Sequence, residues 1–213
     1  MRIEKAMSAT WLQWGVVILA AGASRRMGSP KLLLAWRGTT VIGHLLAQWQ
    51  ELGAAQIAVV MRAHDEKLAA ELDRLDFPPS NRIINPQPER GMFSSVLCGA
   101  GWNGWQHSLS HWAIVLGDQP HLQAGMLRAL LECSAQNPTV ICQPAWAGRL
   151  GHPVILPRTA FIQLENSGVT TLKEFLTLSG QSRLACLVAD PGGLADMDTP
   201  EDYQRIKMSH LGE

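Results

Sequence analysis

The first patterned segment of the chain is an unbroken apolar run, Gly15-Val16-Val17-Ile18-Leu19-Ala20, closing on small residues. A short run without alternation is the pattern of a central parallel strand buried on both faces. Small, polar and basic residues from Ala21 to Lys31 then predict a loop. Between Thr40 and Leu52 the apolar positions Val41, Leu45, Leu46 and Trp49 recur at helical spacing, and Gly53 stands where a helix would stop. Gln56 to Met61 reads as a second strand, Asp65 to Leu75 as a charged, exposed helix, and Arg82 to Ile84 as a short third strand. Gly91 to Ala100 reads as a tight turn entering a helix. His111 to Leu116 is again strand-like and ends at Gly117-Asp118-Gln119-Pro120.

Further on, the pattern predicts a helix over Leu122 to Cys133 and a strand over Thr139 to Cys142. A hairpin-like excursion from Pro144 to Gly151 leads into Val154-Ile155-Leu156. Helices over residues 158–165 and 170–177 and a strand over 184–188 follow. Thr199 is placed to cap a last helix, with Pro200 at its first position and Glu201 and Asp202 favouring its N-terminal dipole. Alternating strands and helices over the first 140 or so residues predict a doubly wound α/β fold with a mostly parallel sheet. No repeat, low-complexity block or linker interrupts it, so one domain over residues 15–213 is expected behind a short tail, 1–14. In such sheets ligands bind beyond the carboxyl ends of the strands. Two conspicuous polar segments fall there, the loop after Leu19 and the turn after Leu116.

Composition narrows the function. Apolar residues make up 46% and charged residues 17% of the 213, which suits a packed domain rather than disorder. Formal net charge is zero, so nothing favours a nucleic-acid partner, whose phosphates call for a basic excess. A small anion remains open to it, because a local cluster of donors suffices. The residues before Gly15 lack the long apolar stretch of a signal peptide, and no segment reaches the roughly 18–20 apolar residues needed to span a bilayer. A cytoplasmic protein without membrane contact is expected. Cys98, Cys133, Cys142 and Cys186 show no CxxC and no histidine at zinc-ligand spacing, so buried, reduced thiols are expected.

The loop Leu19-Ala20-Ala21-Gly22-Ala23-Ser24-Arg25-Arg26-Met27-Gly28-Ser29-Pro30-Lys31 carries the functional argument. Small residues at 20–24 let the backbone approach a ligand and offer successive N–H groups to an anion. Arg25, Arg26 and Lys31 add fixed positive charge beside them, which together describes a polyphosphate cradle. It is not a Walker loop, since Lys31 comes three residues after Gly28 and Leu32 follows it. Nor is it a dinucleotide fingerprint, since Gly22 is followed by Ala23 and Ser24. The alternative, a solvated loop with ordinary surface cations, is disfavoured, because three cations beside a small-residue run straight off a buried strand are uncommon.

The same run resembles the Leu-Ala-Ala-Gly-x-Ser-x-Arg-Met-Gly-x-x-Lys signature of the MobA-like nucleotidyltransferases. Gly22, Ser24, Arg26, Gly28 and Lys31 fall on its defined positions and Arg25 on a variable one. Later segments are similar to the branch that includes molybdenum cofactor cytidylyltransferase: Gly91-Met92-Phe93-Ser94-Ser95-Val96, Gly117-Asp118-Gln119-Pro120, Gly148-Arg149-Leu150-Gly151-His152-Pro153 and Asp196-Met197-Asp198-Thr199-Pro200-Glu201-Asp202. They occur in family order and span nearly everything after the tail.

The resemblance implies a three-layer αβα fold of the nucleotide-diphospho-sugar transferase, Rossmann-like type. It implies transfer of CMP from CTP to the phosphate of a molybdopterin-type molybdenum cofactor, with release of pyrophosphate. The preference for CTP rests on the resemblance alone: the guanylyl branch usually has Leu-Ala-Gly-Gly here and lacks the Gly-His-Pro element. A related transferase using GTP or a sugar phosphate is the alternative, as is a protein that delivers the cofactor to a client molybdoenzyme without turnover.

Within that scheme Leu19, Ala20, Ala21, Gly22, Ser24, Lys31, Gly91 and Ser95 are expected around the nucleotide, and Arg26, Lys31 and Asp118 in catalysis. A hard cation such as Mg²⁺ takes oxygen ligands from one or two carboxylates plus substrate phosphates, and Asp118 with Asp198 is the expected pair. Asp196, two residues from Asp198, projects to the same side of an extended chain and is the alternative second ligand. Arg149 and His152 are assigned to the acceptor side, where His152 reads equally well as a structural histidine. No side-chain base is needed, because a phosphate monoester is largely ionised near neutral pH, its second pKa being about 6. Ser95 and Gly91 read equally well as a plain helix start. The eight tryptophans read as packing rather than as a stacking box.

Overall fold

A computed structural model of the chain describes residues 12–24, 26–188 and 196–209. The expected tail therefore lies mostly outside the described residues, although Trp14 itself opens the first strand. The elements run β1 (Trp14–Leu19), β2 (Ala35–Trp36), β3 (Thr39–Thr40), α1 (Val41–Glu51), β4 (Gln56–Arg62), α2 (Glu66–Arg74), β5 (Arg82–Asn85), α3 (Met92–Ala100), β6 (His111–Leu116) and α4 (Ala124–Gln136). They continue β7 (Ile141–Trp146), β8 (Arg149–Leu150), β9 (Val154–Pro157), α5 (Arg158–Glu165), α6 (Leu172–Leu178), β10 (Arg183–Leu187) and α7 (Pro200–Ser209).

Several helix ends have a local cause. The Thr40 hydroxyl accepts from Gly43 N at the start of α1, and Asp65 accepts from Leu68 N at the start of α2. Gly53, past the end of α1, takes a φ of 83°, a conformation open to glycine but costly for a residue with a Cβ. Thr199 and Asp202 cap α7 reciprocally: Asp202 N donates to the Thr199 hydroxyl at 3.2 Å, and Thr199 N donates to the Asp202 carboxylate at 3.1 Å.

The main sheet has the order β10-β7-β9-β6-β1-β4-β5, with β8 paired on β7. Strands β1, β4, β5 and β6 are parallel, β9 runs antiparallel to β6 and β7, and β10 is parallel to β7. Val16 and Ile18 of β1 pack with α1, α2, α4 and α7, while Val17 packs with α3, α5 and α6. Alternate residues of one strand thus feed two cores, which is why its pattern is continuously apolar. The architecture is a three-layer αβα sandwich around a mostly parallel sheet. No helix among the described residues is long and apolar enough to cross a membrane.

Three expectations are corrected. Strand β7 runs from Ile141 to Trp146 rather than ending at Cys142, because β10 pairs with it through that stretch and its last residues form one arm of the expected hairpin, Ala145 and Trp146 pairing antiparallel with Leu150 and Arg149 of β8. Helix α2 is exposed on one face only: Leu68 and Leu72 are buried. The cysteines are not all reduced, since Cys133 of α4 and Cys186 of β10 form a disulfide. Trp36, Trp49 and Trp112 are buried as expected, and Trp112 stacks on Phe161 with ring centroids 4.3 Å apart, whereas Trp146 is exposed and Trp11 lies outside the described residues.

Candidate functional site

Strand order reverses direction between β1 and β6: the chain leaves β1 toward β4 and β5 and returns on the other side as β6. Beyond the carboxyl ends of these two strands lies the switch-point crevice of an open α/β sheet. A cleft of about 1150 Å³ opens there. Its walls come from the loop after β1, the ends of β4 and β5, the start of α3, the turn after β6 and the segment ahead of α7. Ten of the expected residues line it: Leu19, Ala20, Ala21, Gly22, Ser24, Lys31, Gly91, Ser95, Asp118 and Asp198. Asp196 lines it too.

The loop is held by identifiable contacts. Ala20 N donates to Val60 O at 2.8 Å, so its amide belongs to the sheet and is withheld from any ligand. Lys31 N donates to the Ser24 hydroxyl at 3.2 Å, which ties the two ends of the loop together. Arg62, the last residue of β4, donates from Nη2 to Ala21 O at 3.1 Å. A Cβ added at Gly22 would meet no protein atom within 4 Å. The space this glycine leaves therefore belongs to the cleft and not to internal packing. On the opposite wall, buried Asn85 ends β5 and donates to the Ser94 and Ser95 hydroxyls at 2.8 and 2.9 Å.

Charge converges on Lys31. Its ammonium lies 2.6 Å from Asp198 Oδ1 and 3.4 Å from Asp118 Oδ2, and Arg26 Nη2 reaches Asp198 Oδ2 at 2.8 Å. The Lys31 hydrogen bond, reinforced by the charges of Lys31 and Arg26, holds the Asp198 carboxyl below its ordinary pKa. Asp118 behaves in the opposite way: burial pushes its pKa up, the Asp196 charge adds to that, and Lys31 opposes it. Asp196 Oδ1 accepts from Gln119 Nε2 at 3.1 Å. Two carboxylates on one ammonium, with a third at the same wall, form an oxygen-rich donor set suited to a hard divalent cation.

Arg149 and His152 do not line this cleft. Arg149 is exposed on β8. The half-buried His152 has an Nδ1 that is out of contact with solvent and without a protein partner. Burial lowers the His152 pKa, against a hydrogen bond with the Ile114 backbone and the charge of Asp196. Arg62, Asn85 and Gln119 were missed in the sequence. A signal existed for the first two: each is a polar residue closing an apolar strand at its carboxyl end, where ligands of such sheets bind.

Comparison with known proteins bears on this geometry. A family model described as the MobA-like NTP transferase domain matches residues 16–184. Nicotine blue oxidoreductase of Paenarthrobacter nicotinovorans is 30% identical over 148 residues, covering 66% of this chain and 69% of that protein. Molybdenum cofactor cytidylyltransferase of Escherichia coli K12 is 25% identical over 193 residues, covering 90% of this chain and 94% of that protein. Among solved structures, Rv0371c from Mycobacterium tuberculosis H37Rv aligns with a TM-score of 0.71 and 28% identity over 92% of this chain and 98% of that one. Its complex with manganese aligns with a TM-score of 0.67 and 24% identity over 92% of this chain and 99% of that one.

Proposed function

The chain belongs to the MobA-like NTP transferase domain family and is a nucleotidyltransferase, and on that premise we propose that it transfers CMP from CTP to the terminal phosphate of a molybdopterin-type molybdenum cofactor, releasing pyrophosphate. The observation that carries this reading is the meeting of Lys31, Asp118 and Asp198 at the cleft beside the small-residue loop.

In this scheme the triphosphate lies along residues 21–24, against the backbone that Arg62 and Ser24 hold in place. Asp118 and Asp198 would hold a Mg²⁺ ion; the manganese complex of a structural neighbour makes a divalent cation a natural choice. Such an ion, when bound, neutralises charge on the phosphates and polarises the α-phosphorus. An acceptor phosphate oxygen attacks that phosphorus in line, the α–β P–O bond breaks, and its electron pair leaves with pyrophosphate. The acceptor is already ionised, so no side-chain base is required. Lys31 and Arg26 exchange their carboxylate partners for phosphate oxygens and stabilise the charge that grows on the leaving group. Asp196, whose charge acts on His152, would face the acceptor, and Arg149 on β8, outside the cleft itself, would meet only the far end of a long acceptor.

Pyrophosphate release, measured with each of the four ribonucleoside triphosphates and with molybdenum cofactor, a sugar phosphate or no acceptor, tests the proposal. Release with CTP that depends on the cofactor is expected. Release with GTP alone, or onto a sugar phosphate alone, would move the chain to another branch. No release with any pair would leave delivery of the cofactor to a client molybdoenzyme as the better reading.

A further inference from the structure

Away from the cleft, two consecutive elements and a later strand, whose cysteine lies 53 positions beyond the first, bring three cysteines together. Cys133 comes from α4, Cys142 from β7 and Cys186 from β10, and their sulfur atoms all lie within 4.8 Å of one another. None of the three lines the nucleotide cleft. In the structure Cys133 and Cys186 are joined and Cys142 is a free, fully buried thiol.

We propose that, once the disulfide is reduced, Cys133, Cys142 and Cys186 form a binding site for one soft, thiophilic cation of the Cu(I) class. Metal–sulfur bonds of about 2.3 Å put the sulfurs of a three-coordinate site about 4 Å apart, inside the observed limit. The donor set is sulfur alone, with no carboxylate or imidazole in the group, which selects against hard cations such as Mg²⁺ and for soft ones. Access is graded: Cys142 is enclosed, Cys186 nearly so, and half-buried Cys133 is the side from which a small ion or thiol enters. Burial pushes the Cys142 thiol pKa up, so a thiolate at that position calls for a cation to neutralise it. The Ser134 hydroxyl, wholly buried and making no regular hydrogen bond, stands beside Cys142 as a donor to such a thiolate.

The chemistry balances with a low-molecular-weight thiol as reductant. Two such thiols convert the Cys133–Cys186 disulfide to two cysteine thiols and leave as their own disulfide. As the cation binds, the thiols that ligate it release their protons to solvent. Disulfide and cation are mutually exclusive, because both use the sulfurs of Cys133 and Cys186. Either one pins β10 to the body of the protein, and Cys186 is the one buried residue of that strand.

The test uses full-length protein with Cys98→Ser to remove the remaining thiol, reduced under anaerobic conditions. It is titrated with Cu(I) against a coloured Cu(I) chelator. Retention of one equivalent per chain is expected, falling at least about tenfold in affinity in Cys142→Ser and absent from the oxidised, disulfide-bonded protein. Cys133→Ser, at the most accessible of the three positions, repeats the test should Cys142→Ser fail to fold. Retention by the oxidised protein, equal retention in the serine variants, or none at all would overturn the proposal.

Discussion

The Lys31 ammonium lies 2.6 Å from the Asp198 carboxylate, across 167 positions of sequence. That contact closes the loop after the first strand against the segment that leads into the last helix. With Arg26 on the other carboxylate oxygen, Asp198 is bracketed by two cations, and the resting site is close to charge balance. On the proposed mechanism a polyphosphate with its divalent cation would enter by partner exchange, the cations moving onto phosphate and the carboxylates onto the metal ion.

Replacement of Lys31 by alanine is expected to lower the rate of nucleotidyl transfer by about 10²–10³-fold, the usual loss for one positioned donor. The melting temperature should change little by comparison. With its main partner gone, the Asp198 carboxyl should titrate at higher pH, which carboxyl-carbon NMR of labelled protein would detect. A folded Lys31→Ala protein with wild-type activity would remove Lys31 from the mechanism.

The paired carboxylates should govern the metal requirement. Asp118→Asn or Asp198→Asn is expected to raise the Mg²⁺ concentration for half-maximal rate by about tenfold or more. Mg²⁺ added with nucleotide should raise the melting temperature of the unaltered protein and do so less in either variant. Unchanged metal dependence in both would remove them as ligands.

Gly117 directly follows β6, and its amide donates to Leu19 O at the end of β1 at 3.2 Å. A Cβ there would come 2.7 Å from Leu19 O and 2.8 Å from Leu32 Cδ2, so Gly117→Ala must part the two strand ends that frame the cleft. A loss of about 1–3 kcal/mol in urea unfolding is expected, together with weaker nucleotide binding. Gly125, where an added Cβ would meet nothing within 4 Å, supplies the control substitution.

Stability should fall on mild acidification. Burial holds the His111 pKa below 6.5, partly offset by the hydrogen bond to the Pro138 backbone. His44 and His152 are lowered for the same leading reason. A group whose pKa is lower folded than unfolded takes up protons more readily when unfolded. Its contribution is therefore full above pH about 6.5 and is lost as pH falls toward the folded value. His111 Nε2 donates to Pro138 O at 2.9 Å and Nδ1 meets the Ser110 hydroxyl at 3.0 Å. His111→Asn should lower stability at neutral pH and flatten its decline between about pH 6.5 and 5, as chemical denaturation at a series of pH values would show.

The order and type of the long elements were legible because burial on two faces leaves a mark on every residue of a central strand, and a helix repeats its apolar stripe over several turns. Strand β6 and helix α5 match their expected limits for that reason. Strand β7 does not, since its second half is strand only because β8 and β10 pair with it. The loop from Leu19 to Lys31 announced itself through composition, whereas Arg62 and Gln119 are single polar residues whose partners, Ala21 and Asp196, lie far away in sequence, and Asn85 is a single polar residue turned onto the start of α3 by the fold.

Local chemistry along the chain determined the alternating α/β order, the small-residue loop with its cations, and the carboxylates at strand ends, because each depends on residues within a few positions of one another. Tertiary structure alone decided that Lys31 joins Asp118 to Asp198, that the Ala20 amide is spent on the sheet, and that Cys133 meets Cys186 beside Cys142. Those are pairings between distant segments, selected by how strands are ordered in the sheet, and strand order is settled by the packing of the whole core.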